Sequence, residues 1–306
     1  MRVIRRRAYA RAGLIGNPSD GYNGRTVSVI VRDFLAEVIM YPWDEVEVLG
    51  SRDDQTRFRS VRDLTHDVRL HGYYGGVRLL QATIKRFVEF AEQNNLKLHD
   101  QNFSIRYQTS IPRQVGLAGS SAIIVATLRA LCEFYNLEIP REILPSLALS
   151  VETRELGIAG GLQDRVIQVY EGLVSMDFSH DRMTERMGCR CGQYESLDLS
   201  LLPPLYLAYS EEFGEPTEVL HNDLRGRFDR GETAVVSAMQ GFAELAQRGR
   251  QALLDRNYKL FGELLDRNFD LRRSICQLHS QHVEMVEAAR SVGCSAKFAG
   301  SGGAII

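Results

Sequence analysis

The segment from Pro112 to Ala122 reads PRQVGLAGSSA and runs directly into the apolar stretch of residues 123–131. This order is the layout of a phosphate-binding loop that opens a helix. Gly116 and Gly119 remove Cβ atoms where the backbone has to turn sharply and approach a ligand. The N–H groups of a first helical turn, with the helix dipole's roughly +0.5 charge, favour an oligophosphate. The segment therefore predicts a nucleotide site, and a Gly/Ser turn that caps an ordinary buried helix is the alternative.

The loop differs from two common nucleotide-binding loops. No Gly-Lys-Ser/Thr follows at the Walker A spacing, and the GxGxxG of a dinucleotide turn is missing. The pattern Pro-x-x-x-Gly-Leu followed by Ser-Ser-Ala instead resembles the central motif of the GHMP small-molecule kinases, the galactokinase, homoserine kinase, mevalonate kinase and phosphomevalonate kinase group. ARAGLIGNPSDGYNG at residues 10–24 resembles the N-terminal substrate motif of this family, and KFAGSGGA at residues 297–304 resembles its C-terminal glycine motif. All three motifs stand in the family's order.

Further segments resemble the branch of the family that phosphorylates D-glucuronate at its anomeric oxygen. They are GNPSDGYNGRT, the pair Tyr73-Tyr74 in GYYGGVRLL, ELGIAGGLQDRV, LVSMDFS, SLLPPL and NFDLRR. This resemblance implies an enzyme that uses ATP and Mg²⁺, with D-glucuronate as its substrate. The alternatives are another anomeric sugar kinase, for galactose, fucose or heptose, and a sensor that binds sugar and nucleotide without turnover.

A length of 306 residues predicts two domains, since one core rarely keeps growing beyond about 250–300 residues. The resemblance implies an α+β fold with two domains. The first, at residues 1–185, is of the ribosomal-protein-S5-domain-2-like type, and the second, at residues 197–306, is ferredoxin-like. The polar segment at residues 181–196 shows no hydrophobic period and is predicted to be the boundary. The family continues past its glycine motif, so a chain that stops at Ile306 is expected to be truncated or to have an incomplete C-terminal sheet.

Charge and cysteine content indicate which partners and which cellular compartment to expect. The net charge is −2 with acids and bases interspersed, which argues against nucleic acid and membrane partners. The arginine-rich start, residues 2–7, precedes a strand-like segment and not the apolar region of a secretory signal. Five cysteines without a CxxC pair predict a reducing compartment, and hence a cytoplasmic location. Two other pairs, Cys189 with Cys191 and His279 with His282, are predicted to be structural, the histidines as surface residues.

The family motifs imply a role for two charged residues in phosphoryl transfer. Asp164, in GLQDR, matches the acidic residue that follows the glycine break in galactokinase-type members. We expect it to accept the proton of the anomeric hydroxyl, or to orient that hydroxyl for in-line attack. Arg11 matches the basic residue of the N-terminal motif. A guanidinium beside Asp164 would keep that carboxylate ionised and offset charge on the transferred group.

A magnesium site is implied at the same place. Glu152 stands twelve residues before Asp164, where the family places its magnesium-binding glutamate. Mg²⁺ takes hard oxygen ligands and leaves several positions to phosphate and water, so one carboxylate and one hydroxyl suffice. The hydroxyl comes from Ser120 or Ser121, because GLAGSSA has one residue more than the usual GLGSSA. Glu155 is the competing carboxylate and is otherwise predicted to be a solvated helix position.

The remaining predicted contacts are to nucleotide and sugar. The nucleotide loop comprises Pro112, Gly116, Leu117, Ala118, Gly119, Ser120, Ser121 and Ala122. The sugar is expected to meet Asn17, Asp20 and Tyr22, and a glycine loop of Gly300, Ser301, Gly302 and Gly303 is expected to close over substrate or phosphates. Turn-forming residues of this kind also occur in any loop.

A uronate carries a carboxylate that a neutral hexose lacks, so its site should provide an arginine fork. The candidates are Arg113, Arg165 and Arg25, and Arg165 is included among the predicted substrate contacts. Tyr73 and Tyr74 either stack on the sugar or pack a turn.

Hydrophobic periodicity places these motifs on elements of secondary structure. It predicts helices at residues 76–93, 122–131, 143–156, 162–170, 231–248, 254–276 and 281–292, and strands at residues 27–31, 37–41, 46–49, 103–107, 173–178, 205–209 and 295–298.

Overall fold

A six-stranded sheet forms the centre of the computed structural model, which describes residues 2–50, 75–210 and 224–306. The strands of the described chain are β1 (Ile4–Ile15), β2 (Arg25–Pro42), β3 (Glu47–Leu49), β4 (Phe103–Thr109), β5 (Leu173–Asp177), β6 (Thr184–Arg186), β7 (Cys189–Cys191), β8 (Gln193–Leu197), β9 (Ala208–Tyr209) and β10 (Ala304–Ile305), and the central sheet comprises β1 to β5 and β8. The long strand β2 pairs antiparallel with β1 along one side and with β4 and β5 along the other. The parallel strand β3 lies beside β4, and the antiparallel strand β8 lies beside β5.

Helices cover this sheet. They are α1 (Gly76–Gln93), α2 (Gly119–Phe134), α3 (Leu144–Ser150), α4 (Gln163–Tyr170), α5 (Thr233–Leu254), α6 (Tyr258–Ile275) and α7 (Ser280–Ser291). Along β1, Ala8, Ala10 and Ala12 are fully buried at every second position, so the middle of the strand offers small side chains there. The apolar helix α2 lies against β1 and β2, and its side chains belong to the main core, as its composition predicts. Small residues on the strand thus bring the helix that follows the phosphate loop close to Arg11.

Two predicted elements differ from the structure in an instructive way. The separate strands at residues 27–31 and 37–41 are one continuous strand, β2. Residues 32–34 form an irregularity within it, because Val31 pairs with Ala10 and Leu35 pairs with the neighbouring Tyr9, so the pairing with β1 resumes after a shift in register. The helix predicted at residues 143–156 starts as α3 and changes at Val151–Glu155 into a single π-helical turn. Such turns are enriched at functional sites, and this one carries Glu152.

The segment of residues 181–196, which shows no hydrophobic period, contains three strands. Strands β6 and β7 form a hairpin, and β8 extends the central sheet by pairing with β5. Because β8 is an edge strand, its outward residues are polar, and Glu195 pairs with Arg250 of α5 at 2.7 Å. An edge strand of this kind has no apolar alternation to detect. The domain boundary at this segment remains a prediction.

The C-terminal part of the described chain consists of α5, α6 and α7 with the small antiparallel pair β9–β10. Phe298 forms an isolated bridge to Ile305, so the strand predicted at residues 295–298 is a single bridge. Helix α5 packs on β2 and on α6, which brings α6 and the glycine motif to the substrate motif on β1. Within the described ranges, no helix combines the length and apolarity that a membrane crossing requires.

Candidate active site

Arg11 connects the three sequence motifs. Its side chain extends from the middle of β1, and its Nε donates to Oδ1 of Asp164 at 2.6 Å. Its Nη1 donates to the carbonyl oxygen of Gly116 in the phosphate loop at 2.6 Å and to that of Ala299, next to the glycine loop, at 3.3 Å. One buried guanidinium therefore joins the predicted base, the phosphate loop and the glycine motif, each of which lies more than a hundred residues from Arg11 in sequence.

The Asp164 carboxylate remains reachable from solvent. Its side chain is 22% exposed, whereas that of Arg11 is 7% exposed. A second guanidinium, that of Arg165, has Nη1 at 3.7 Å from the other carboxylate oxygen. Burial disfavours the charge on Arg165, but the negative charges of Glu152 and Asp164 outweigh that effect and raise the pKa of its guanidinium. Two permanent cations beside one partly exposed carboxylate stabilise its ionised form.

The π-helical turn places Glu152 against the start of α2. Its Oε1 accepts a hydrogen bond from Oγ of Ser120 at 2.8 Å, and its Oε2 accepts one from Arg165. Ser121 turns the other way, and its Oγ donates to the carbonyl oxygen of Ala118 at 3.2 Å. The structure therefore brings Ser120, and not Ser121, to Glu152.

Glu152 and Ser120 fit a magnesium ion. They present one carboxylate and one hydroxyl at a helix start, where phosphate oxygens would supply further ligands. In the part of the chain that the structure describes, no group of three or more His, Cys, Asp or Glu residues forms a metal site. The competing residue Glu155 pairs with Lys85 of α1 and is only 15% exposed, so the prediction of a solvated position is wrong.

The phosphate loop has the backbone that its glycines predict. Gly116 has a φ of 72° and Ala118 a φ of 63°, both in the left-handed region. The carbonyl oxygen of Ala118 accepts a hydrogen bond from Nε2 of Gln168 on α4, at 2.9 Å. Helix α2 begins at Gly119, so the N–H groups of residues 119–121 have no acceptor within their own helix.

The glycine motif packs directly on this loop. A Cβ at Gly300 would overlap the carbonyl oxygen of Gly116, and one at Gly303 would lie 2.9 Å from Cα of Val115. Arg272 of α6 holds the motif from behind, because its Nη1 donates to the carbonyl oxygen of Gly300 at 2.6 Å and its Nη2 to that of Ser301 at 2.8 Å. Burial lowers the pKa of the Arg272 guanidinium.

The substrate motif is also held by buried polar groups. Nζ of Lys297 donates to Oδ1 of Asn17 at 2.6 Å and to the carbonyl oxygens of Gly13 and Phe298, both at 2.7 Å. Burial, with the nearby guanidinium charges, lowers the pKa of Lys297 well below its usual value. Asn268 of α6 donates to the carbonyl oxygen of Asn17 at 3.2 Å. The Asn17 amide is therefore fixed, with its oxygen engaged by Lys297.

Asn268, Arg272 and Lys297 were not among the predicted site residues. A signal for two of them was present, since Asn268 and Arg272 stand four residues apart on the face of α6 that buries Phe261 and Leu264. Polar groups on a buried helix face require partners, which points to a functional contact. Lys297 offers no such signal, because its partners depend on where Asn17 lies.

Asp20 lies beside the predicted base. Its Oδ2 accepts a hydrogen bond from the backbone N–H of Gln163 at 3.2 Å, and a Cβ at Gly161 would overlap its carboxylate. Burial, together with the charge of Asp164, raises the pKa of the Asp20 carboxyl to about 6. Tyr22 faces a separate apolar cluster, with its ring centroid 4.8 Å from that of Phe228. Burial raises the pKa of Tyr22 to about 12.

The arginines predicted to read a carboxylate differ in their surroundings. Arg25 pairs with Asp177 through Nε at 2.7 Å, and Arg165 is occupied by Glu152. Arg113 is exposed on the phosphate loop. The predicted residues Tyr73 and Tyr74 lie outside the described residues. The prediction of two surface histidines is wrong for His282, which is buried with its ring centroid 6.0 Å from that of Phe298.

Comparison with known proteins agrees with this geometry. The sequence pattern described as "GHMP kinases N terminal domain" matches residues 79–172. The chain superposes with a TM-score of 0.74 on a solved Streptococcus pneumoniae phosphomevalonate kinase in complex with phosphomevalonate and AMPPNP, at 15% identity, covering 100% of this chain and 91% of that one. The fold and the three joined motifs thus define a small-molecule kinase of the GHMP class.

Two relatives from Arabidopsis thaliana are much more similar in sequence. The chain is 46% identical to "Probable glucuronokinase 2" and 44% identical to "Glucuronokinase 1", in each case over 99% of this chain and 84% of the relative. The protein belongs to the glucuronokinase branch of the GHMP kinase family.

Proposed function

We propose that the protein transfers the γ-phosphoryl group of ATP to the anomeric oxygen of D-glucuronate, giving D-glucuronate 1-phosphate and ADP. The observation that carries the proposal is the Asp164 carboxylate, held by Arg11 where the substrate motif, the phosphate loop and the glycine motif meet. The names of the two Arabidopsis relatives support the sugar, and the AMPPNP complex of the phosphomevalonate kinase supports a nucleotide at this fold's phosphate loop.

Each residue has a part that follows from its surroundings. Asp164 accepts the proton of the anomeric hydroxyl or orients that hydroxyl. Arg11 keeps the Asp164 carboxylate ionised and offsets the negative charge on the transferred phosphoryl group. The first turn of α2 binds phosphate oxygens through its N–H groups. Ser120 and Glu152 would hold Mg²⁺, which supplies charge neutralisation on the phosphates when it is bound. Asn17 and Asp20 contact sugar hydroxyls, and residues 300–303 cover the bound ligands.

A substrate panel tests the proposed reaction. ADP release would be measured with ATP and Mg²⁺ against D-glucuronate, D-galacturonate, D-glucose, D-galactose and L-fucose, with mass analysis of the product. We expect turnover on D-glucuronate with a 1-phosphate product. Turnover on a neutral sugar alone would retain the kinase and reject the glucuronate assignment. If no sugar is phosphorylated although ATP still binds, the result would favour a sensor that binds sugar and nucleotide without turnover.

The serine that binds magnesium can be identified by substitution. We expect Ser120→Ala to raise the Mg²⁺ concentration for half-maximal activity about tenfold, because the hydroxyl that faces Glu152 is lost. Ser121→Ala is the matched control, since its hydroxyl donates to Ala118 within the helix start, and we expect less than a twofold change. A larger effect at Ser121 would reverse the assignment.

The raised pKa of Asp20 predicts a pH dependence. Below about pH 6 the carboxyl is protonated, so we expect kcat/KM for the sugar to fall there. Asp20→Asn should remove this fall from the pH profile of kcat/KM.

The same raised pKa predicts a pH dependence of stability. The pKa of Asp20 in the folded state lies above the unfolded value of 3.8, so the folded state binds more protons between these values and stability falls as pH rises through about 6. Asp20→Asn should therefore stabilise the fold more at pH 8 than at pH 4, measured by urea unfolding. Equal effects at both pH values would contradict this.

A further inference from the structure

Arg225 is a guanidinium beside the substrate motif that the sequence patterns did not single out. Residues 224–229 are helical, and Nη2 of Arg225 donates to the carbonyl oxygen of Gly21 at 2.7 Å. Its Cζ lies 4.7 Å from the ring centroid of Tyr22, which is itself packed against Phe228. Cation–π contact and a hydrogen bond therefore hold the planar group in one orientation.

Within the described residues, the charge of Arg225 is only weakly neutralised. Its side chain is 44% exposed, and its ion-pair partner there is Oδ1 of Asp229 at 3.8 Å, on a side chain that is 60% exposed. Exposed pairs at such a distance contribute little. In contrast, Arg25 and Arg165 each have a close carboxylate partner. Of these three arginines near the substrate motif, Arg225 has the charge that remains available for a ligand.

Arg225 contacts the substrate motif one residue beyond Asp20, which lies beside the predicted base. Gly21 adjoins Asp20, and the Asp20 carboxylate accepts a hydrogen bond from Gln163, which adjoins Asp164. The anomeric hydroxyl and the carboxylate of a uronate project from different ring carbons. A residue that binds the carboxylate must therefore contact the substrate motif without pairing with Asp164. Arg225 meets this condition through Gly21, whereas Nη1 of Arg165 lies 3.7 Å from the Asp164 carboxylate.

We propose that Arg225 binds the carboxylate of the uronate and sets the preference of the enzyme for uronates over neutral hexoses. This inference rests on the proposed function. A guanidinium presents two parallel N–H donors to a carboxylate, whereas the CH₂OH group of a hexose offers no charge to pair with. Tyr22 then acts as the platform that orients Arg225, which explains why a residue of the substrate motif is buried in an apolar cluster.

Steady-state kinetics on Arg225→Met, Arg225→Lys and wild type test the inference. We expect Arg225→Met to raise KM for D-glucuronate about 10- to 100-fold, with kcat and KM for ATP within about threefold of wild type. D-galacturonate, which also carries the carboxylate, should depend on Arg225 in the same way, and any turnover of D-glucose should be unchanged. Arg225→Lys should be intermediate because it keeps the charge and loses the fork. Arg230→Met removes an exposed arginine five residues along the chain and should behave as wild type.

The outcomes separate the two proposals. If wild type prefers D-glucuronate and Arg225→Met keeps both that preference and the wild-type KM, the role of Arg225 is rejected and the kinase stands. If Arg225→Met weakens the use of ATP, D-glucuronate and D-glucose equally, Arg225 is a structural residue and the inference is also rejected. If wild type phosphorylates only neutral sugars, the proposed function falls and the inference falls with it.

Discussion

Asp164→Asn is expected to lower kcat for D-glucuronate by about 10²- to 10⁴-fold, the range typical of a lost general base. Asparagine keeps the size of the side chain and an oxygen that can accept the Arg11 hydrogen bond, but it cannot take a proton from the sugar hydroxyl. The loss should therefore appear in kcat, with KM for ATP close to that of wild type. The measurement is coupled ADP release, with ATP binding determined separately by calorimetry.

Asp181→Asn is the matched control for this change. Asp181 is 76% exposed, and its ion-pair partner among the described residues is the neighbouring Arg182 at 3.5 Å, so its loss should leave kcat within about twofold. A kcat for Asp164→Asn within tenfold of wild type would reject the assigned role, since positioning and phosphate binding would then account for the rate. A loss of ATP binding in the same variant would instead indicate that Asp164 organises the nucleotide loop through Arg11.

Gly300→Ala is expected to lower kcat/KM for both substrates by about 100-fold, because a new Cβ would overlap the carbonyl oxygen of Gly116. That oxygen is a backbone atom that also accepts from Arg11, so the overlap can be relieved only by separating the glycine motif from the phosphate loop. Overpacking of this kind typically costs about 1–3 kcal/mol of stability. Thermal unfolding and steady-state kinetics would measure the two effects.

Gly241→Ala provides the same chemical change at a tolerant position. Gly241 lies within α5, and the nearest atom to a new Cβ is the flexible end of Leu271, at 3.0 Å. Alanine favours a helix interior by up to about 1 kcal/mol relative to glycine, so stability should hold or rise and activity should be unchanged. If Gly300→Ala were as active as Gly241→Ala, the contact between the two loops would have no part in catalysis.

Local sequence patterns account for much of the fold. The three- and four-residue spacing of apolar side chains predicts α1 with its observed bounds, and the apolar run after GSSA predicts α2, which begins at Gly119, three residues before the predicted start. These signals are local because a helix repeats within four residues, so the partners that bury its face need not be known. The edge strand β8 lacked such a signal, since an exposed strand is selected for polar residues and not for alternation.

Part of the candidate site was likewise predicted from the sequence, and part required the structure. The motifs and their resemblance predicted Arg11, Glu152 and Asp164, and the structure brings these residues together around the phosphate loop. The sequence could not decide between Ser120 and Ser121 as the predicted magnesium ligand, because GLAGSSA has one residue more than the family's usual GLGSSA. It depends on which hydroxyl faces the π-helical turn, and adjacent residues of a helix point in different directions.

By itself, the sequence determined which segments become helices, where the phosphate loop turns, and which charged residues belong to the family's motifs. Only the tertiary structure decided which groups support those motifs. Lys297 reaches Asn17 across 280 positions, Arg272 reaches Gly300 across 28, and Arg225 reaches Gly21 across 204. Buried or oriented polar groups need partners, but these partners are chosen by the packing of α6 and the glycine motif against β1, and no local pattern records that choice.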